Sequence, residues 1–182
     1  PGWTGTDIVG PLSEAFNVPI GFDTDVNGAA LGEGRWGAGE GLDDFVYITV
    51  GTGIGGGVVS NGKAIHGLVH PEIGHLRIPR HPDDTFPGRC PFHGDCLEGL
   101  ASGPAIADRW GMAAEELGEA TPRAVEIEAF SLGYAMANLV LALSPQRIIL
   151  GGGVMQLPGL LEATRRRMLE ALGGYVDSSA LE

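Results

Sequence analysis

The period of hydrophobic and polar positions changes several times along the chain, and each change marks an element. Residues 45–50, FVYITV, are β-branched and aromatic and predict a strand. GTGIGGGVVSNGKAI follows as a glycine turn, a second strand and a hairpin at Asn61-Gly62, a dipeptide that tolerates the positive φ of tight hairpins. Upstream, VPIGFDTD predicts a short strand ending near Asp23, then a helix from about Val26 to Trp36. Asp25 falls at or next to that helix start, where the N-terminal dipole favours a carboxylate. Residues 70–97 keep neither period and read as loop. Apolar spacing returns in a helix from about Glu98, a long helix over 122–143, a buried strand RIIL entering a glycine turn, and an amphipathic helix GLLEATRRRMLEAL. Hairpin strands followed by helices alternating with a strand predict an α/β domain with a mixed sheet.

Length and charge narrow the picture. The chain has 182 residues, enough for one domain, or for one large domain and part of another. The formal net charge is −12, with Lys63 the single lysine. Nucleic acid is not an expected partner, because phosphate backbones need a concentrated basic face. The one basic cluster, Arg165-Arg166-Arg167, reads as a solvated helix face. An anionic ligand stays compatible if backbone amides and a divalent cation carry its charge. No run reaches the ~18 apolar residues of a membrane span, and PGWTGTDIVG lacks the features of a signal peptide. The expectation is a cytoplasmic protein with no membrane contact. Pro1 without an initiator Met, and an end that closes on no element, read as a fragment of a longer chain.

The loop holds most of the soft ligands. Four of the five histidines and both cysteines lie within residues 70–99. His75, Cys90, His93 and Cys96 have the spacing H-x14-C-x2-H-x2-C, which suits tetrahedral zinc. His81 could take the place of His75. A Cys90–Cys96 disulfide is the rival reading, disfavoured in a reducing compartment. Prolines 79, 82 and 87 and few apolar anchors leave the segment without a core of its own. Burial alone cannot offset its ordering entropy, so the metal is expected to be structural and to fold the whole loop.

Glycines and acids supply the rest. GTGIGGG (51–57) can expose backbone N–H groups to phosphate. It lacks the P-loop pattern and precedes a strand, which excludes the P-loop and Rossmann readings. Gly151-Gly152-Gly153 is either a ligand-facing turn or a plain strand-to-helix turn. Glu72 and His75 precede the metal loop and Glu98 follows it, so closing the loop gathers groups able to bind several sugar hydroxyls.

Together these segments resemble the ROK family of repressors, open reading frames and kinases. TDVNGAALGE resembles its D-x-N-x-A-x-x-G-E segment and VGTGIGGGVV its second phosphate motif. HPEIGH matches E-x-G-H, and CPFHGDCLEGLASGPA stands at C-x-C-G-x-x-G-C-x-E. Histidine in place of one cysteine is most similar to the zinc-containing bacterial fructokinases of the family. The resemblance implies an actin/hexokinase-like (ribonuclease H-like) fold. Residues 1–24 would be the tail of the small lobe and hinge, and 25–182 the large lobe with a zinc loop at 75–96. The phosphate lobe and the extreme C-terminus would be missing. It implies phosphoryl transfer from Mg2+-ATP to a hexose, foremost D-fructose, by a homodimer, with glucokinase or a sugar-sensing repressor as alternatives. Asp25 matches the catalytic base, and Thr24, Asp25, Glu72, His75 and Glu98 the sugar-binding positions. Gly51, Thr52, Gly53, Gly55, Gly151 and Gly152 match the nucleotide side. His75, Cys90, His93 and Cys96 match the zinc ligands, which favours His75 over His81. Two departures stand out: Thr24 replaces the family's usual Asn, and the family's first phosphate motif, D-x-G-G-T, is absent.

Overall fold

The computed structural model describes residues 2–176, so the C-terminal residues 177–182 lie outside the described region. Four strands, β1 (Phe45–Val50), β2 (Ile54–Ser60), β3 (Lys63–Ala64) and β4 (Arg147–Gly151), form one sheet in the order β3-β2-β1-β4. β1 pairs antiparallel with β2, from Phe45–Val59 to Val50–Ile54, and parallel with β4, from Phe45–Arg147 to Thr49–Gly151. The sheet is therefore mixed, as the pattern predicts. Six helices accompany it: α1 (Val9–Phe16), α2 (Asp25–Trp36), α3 (Leu97–Ala101), α4 (Gly103–Trp110), α5 (Thr121–Leu143) and α6 (Leu160–Leu172).

The two-residue period of β1 divides the core. Phe45 and Tyr47 face α2 and pack with Ala30, Val59 and Ile149. Val46, Ile48 and Val50 face the other side, where Ile73, Leu97, Ala101, Ile106, Leu132, Met136 and Leu160 build the larger core. β2 divides in the same way, but with glycines. A Cβ on Gly55 would lie 2.8 Å from Val26 Cγ1, and one on Gly57 would lie 2.5 Å from the Val26 carbonyl and 2.8 Å from Ala30 Cβ. On the opposite face a Cβ on Gly56 would collide with Ile73. Three of the five glycines in GTGIGGG thus serve close approach of elements to both faces of the sheet.

Several expectations need correction. Residues 17–24 form no strand, because they pair with no edge of the described sheet and are largely solvent-exposed. Ahead of them, α1 was not foreseen, although Val9, Leu12 and Phe16 fall at helical spacing; none of its residues is buried. The helix expected from Glu98 begins at Leu97 and breaks at Ser102, whose hydroxyl accepts the Ala105 N–H and caps α4, with Pro104 in the first turn. RIIL is half-buried rather than buried, because β4 is an edge of the described sheet. The stretch 118–143 is long and apolar enough by length and composition to cross a membrane, contrary to the reading of its sequence. Here it is the central core helix: Ala124, Ile127, Leu132, Ala135 and Met136 are buried, and Gly133 sits against the α6 backbone at Met168.

Gly57→Ala is expected to destabilise the protein by about 1–3 kcal/mol through overpacking beneath α2. Gly32→Ala, at an open position in α2, should stabilise it by up to ~1 kcal/mol through helix propensity. Thermal denaturation of the two variants checks the opposite signs.

Candidate functional site

The Ile73–His75 turn, the loop after it and the start of α3 bring four ligand side chains together. The donor atoms of His75, Cys90, His93 and Cys96 all lie within 4.8 Å of one another. His75 Nδ1 is 3.5 Å from Cys96 Sγ and 3.7 Å from Cys90 Sγ, and His93 Nδ1 is 3.7 Å from Cys90 Sγ. A tetrahedral ion with ~2.3 Å bonds to sulfur and ~2.0–2.1 Å bonds to nitrogen sets sulfur–nitrogen edges of about 3.6 Å, so the donor set fits such an ion. Both cysteines are free thiols, so no disulfide competes. His81 stands apart: its Nδ1 accepts the Asp83 N–H and its ring packs on Phe130. Burial opposes ionisation of Cys90, but the backbone amides of His93 and Phe92 outweigh it and bring the thiol below its ordinary 9.0. Burial pushes Cys96 up.

Local geometry shapes the knuckle that holds Cys90. Cys90 and Gly94 exchange N–H···O bonds of 3.0 and 2.9 Å. Gly88 and Gly94 have positive φ, and a Cβ on Gly88 or Gly99 would strike the Gly94 carbonyl. Leu97 N–H donates to the Leu76 carbonyl at 3.0 Å, stapling the two ends of the loop. Asp95 binds Arg77 at 2.6 Å and Arg80 at 3.3 Å.

The loop does not rest on metal ligands alone. Arg109 of α4 is buried between Asp84 and Glu128, at 3.1 and 2.8 Å, donates to the Leu100 carbonyl at 2.7 Å, and lies over the Phe86 ring. One cation thus faces two buried carboxylates. Burial pushes Glu128 up to about 8 despite Arg109. His81 and Asp84, both buried, peg residues 81–84 to the helices. The expectation that a metal folds the whole loop therefore narrows to residues 87–96.

The glycine turns, Glu98 and the start of α2 lie at the edge of the sheet where parallel β1 and β4 end, the usual ligand-facing edge of α/β sheets. The Gly51–Gly53 turn follows β1 there. Its Gly51 carbonyl accepts the Gly103 N–H at 2.8 Å, and the Ile54 N–H donates to Glu98 Oε2 at 2.9 Å. Glu98 thus grips the glycine turn, leaving the Thr52 and Gly53 amides without a partner among the described residues. Gly152, with φ +98°, stacks its α-carbon on the Val50 backbone, which joins the second glycine turn to the first. Gly55 lies within β2, paired with Thr49 and packed on Val26, so its duty here is packing.

On the opposite face of β2, Val26 over Gly55 sets the first turn of α2 at this same edge. Thr24 caps the helix, its hydroxyl accepting the Asn27 N–H at 3.2 Å. Exposed Asp25 is the first helical residue, its Oδ1 accepting the Val26 N–H at 2.9 Å. Glu72 is exposed and pairs with His70 at 2.9 Å.

The mixed α/β fold agrees with the comparisons. The chain belongs to the ROK family, whose profile matches residues 1–181. It is 52% identical to a fructokinase of Zymomonas mobilis over all of this chain and 61% of the relative. It is 46% identical to a putative fructokinase of Bacillus subtilis over 99% of this chain and 60% of the relative. The structure is similar to a ROK hexokinase from Thermus thermophilus, with TM-score 0.77, 34% identity, and 90% of this chain and 61% of that one covered. The chain thus spans about three fifths of the length of these relatives.

Sequence reasoning missed one cluster beside Asp25. His66 Nε2 lies 3.0 Å from Asp23, whose carboxylate also accepts the Asn27 side-chain amide at 2.8 Å. The Asn27 and His66 hydrogen bonds hold Asp23 at about 2, below its ordinary 3.8. Asp23 raises His66 above 6.5. A lone histidine in a loop and an acid 43 positions away carry no spacing signal that could have joined them. The pair is charged on both sides above the range where Asp23 protonates and below the raised value of His66. Asp23→Asn should bring the His66 titration midpoint, followed by NMR, down toward 6.5. Elemental analysis should return one thiolate-bound metal per chain. Chelation should first loosen residues 87–96, leaving the Asp83 and Asp84 amides, both bonded to His81, protected from hydrogen exchange.

Proposed function

We propose that this chain is the large-lobe part of an ATP-dependent hexose kinase, and that its hexose is D-fructose, converted to fructose 6-phosphate. The observation that carries the reading is the meeting of the Asp25 helix start, the Gly51–Gly53 turn and the Glu98 carboxylate at one sheet edge. Identity of 40–52% to bacterial fructokinases, against 34% to a glucokinase, favours fructose over glucose. Residues 1–24 would lead from a small lobe supplied by the rest of the full-length chain.

In this reading Asp25 accepts the proton of the attacking hydroxyl as the oxygen–phosphorus bond forms. The Thr52 and Gly53 amides face the phosphates, and Gly151 and Gly152 shape the nucleotide side. Mg2+ would arrive with ATP and neutralise phosphate charge. This suits a chain of net charge −12 that offers no basic cradle. Glu72, His75 and Glu98 bind sugar hydroxyls, with Thr24 beside them. His75, Cys90, His93 and Cys96 would hold a structural zinc, which stiffens residues 87–96 and the start of α3. Because His75 turns Nδ1 toward the cluster, its Nε2 is left for the sugar.

In the full-length enzyme, Asp25→Asn should lower kcat by roughly 10^2-fold or more with unchanged circular dichroism. A variant within threefold of wild type would remove Asp25 from the role. A wild-type kcat/KM for glucose above that for fructose would reassign the sugar.

A further inference from the structure

The turn that delivers Asp25 is held by few bonds. Residues 21–24 have no regular structure, and Phe22 is exposed. Asp23 organises the turn by accepting the Thr24 N–H at 2.7 Å and the Asn27 side-chain amide at 2.8 Å. Both partners lie within four residues, and Asn27, buried in the first turn of α2, ties the turn to that helix. A side-chain contact at longer range runs to His66, 43 residues away, at 3.0 Å.

His66 lies at a junction. It follows β3, and its Nδ1 faces the Ala64 carbonyl at 3.3 Å. Both ring nitrogens thus face oxygen acceptors, an arrangement that the doubly protonated ring satisfies. From His66 the chain runs directly to Glu72 and His75. On the other side, Asn27 in the first turn of α2 is fully buried, and its amide nitrogen lies 3.3 Å from His66 Nε2. The ring therefore bridges the segment bearing Glu72 and the turn bearing Thr24 and Asp25.

We propose that His66 is a positioning residue that, through Asp23, sets the gap between the proton-accepting Asp25 and the sugar-binding segment at Glu72. The proposal rests on the kinase reading above. An exposed ion pair of this kind contributes little to stability. Misplacement of a reacting group by about 1 Å, however, can cost roughly 10^2-fold in rate. Catalysis should therefore feel the loss of the ring far more than folding does.

The test uses the full-length enzyme. His66→Ala should lower kcat/KM for fructose about tenfold or more, leave KM for ATP within about twofold, and leave Tm within about 2 °C, since exposed pairs contribute little. His66→Gln, which keeps one N–H donor, should recover part of the loss. The double variant with Asp23→Ala should be no worse than the poorer single variant, as expected of two residues acting as one unit. His66→Ala within threefold of wild type for fructose would overturn the proposal. So would equal losses toward fructose and ATP accompanied by a large fall in Tm, which would mark a structural role only. If wild-type enzyme phosphorylates no hexose, the kinase reading itself falls, an outcome distinct from an active wild type with indifferent His66 variants.

Discussion

The missing side chains on β2 are the constraint on which the rest depends. Gly55 and Gly57 let the first turns of α2 lie directly on one face of the strand, and Gly56 lets Ile73 press on the other. A methyl group at these places would lift one element or the other off the sheet. Because α2 starts at Asp25, its height above the sheet sets where that carboxylate stands. Because Ile73 opens the turn that ends at His75, its seat sets where the metal cluster begins. A run of glycines that resembles a phosphate loop is therefore divided between two tasks. Residues 51–53 turn at the sheet edge, and 55–57 allow close packing.

The loop between His75 and α3 solves a different problem. It has little apolar surface of its own, so its order comes from polar anchors that are expensive to leave unpaired. Arg109 fixes residues 81–84 from the helical side, with two carboxylates, a carbonyl and the Phe86 ring around one guanidinium. Two thiols and two imidazoles fix the remainder around one point. Broken on one side, either arrangement strands buried polar groups, which costs more than the intact network contributes. Cys96 immediately precedes α3, and Glu98 on its first turn holds the Ile54 amide. Order in the loop is thus passed within two residues to the glycine turn.

At the sheet edge, hydrogen bonds from Asn27 and His66 stabilise the charge of Asp23 beside Asp25. With −12 net charge, the chain brings little positive charge of its own to a phosphate. Backbone amides at the Gly51–Gly53 turn, rather than basic side chains, are what this edge offers an anion.

Much of the fold and the site could be read without coordinates, and the rest had a reason to be hidden. The two-residue period of FVYITV, the Asn61-Gly62 turn and the long apolar period of α5 each encode their element locally, because the backbone choice follows from neighbouring residues. The thiol–imidazole cluster was legible because thiols and imidazoles are rare enough for spacing alone to carry meaning. Only tertiary structure could decide between His75 and His81, since both lie at workable spacing and what separates them is that His81 is buried against Phe130. It alone removed the strand expected before Asp23, because a strand exists only where an edge is there to pair with it. It alone joined Arg109 to Asp84 and Glu128, and His66 to Asp23. Those pairs span 19 to 43 residues. Charged side chains so far apart carry no periodicity, and what brings them together is the path of the folded chain.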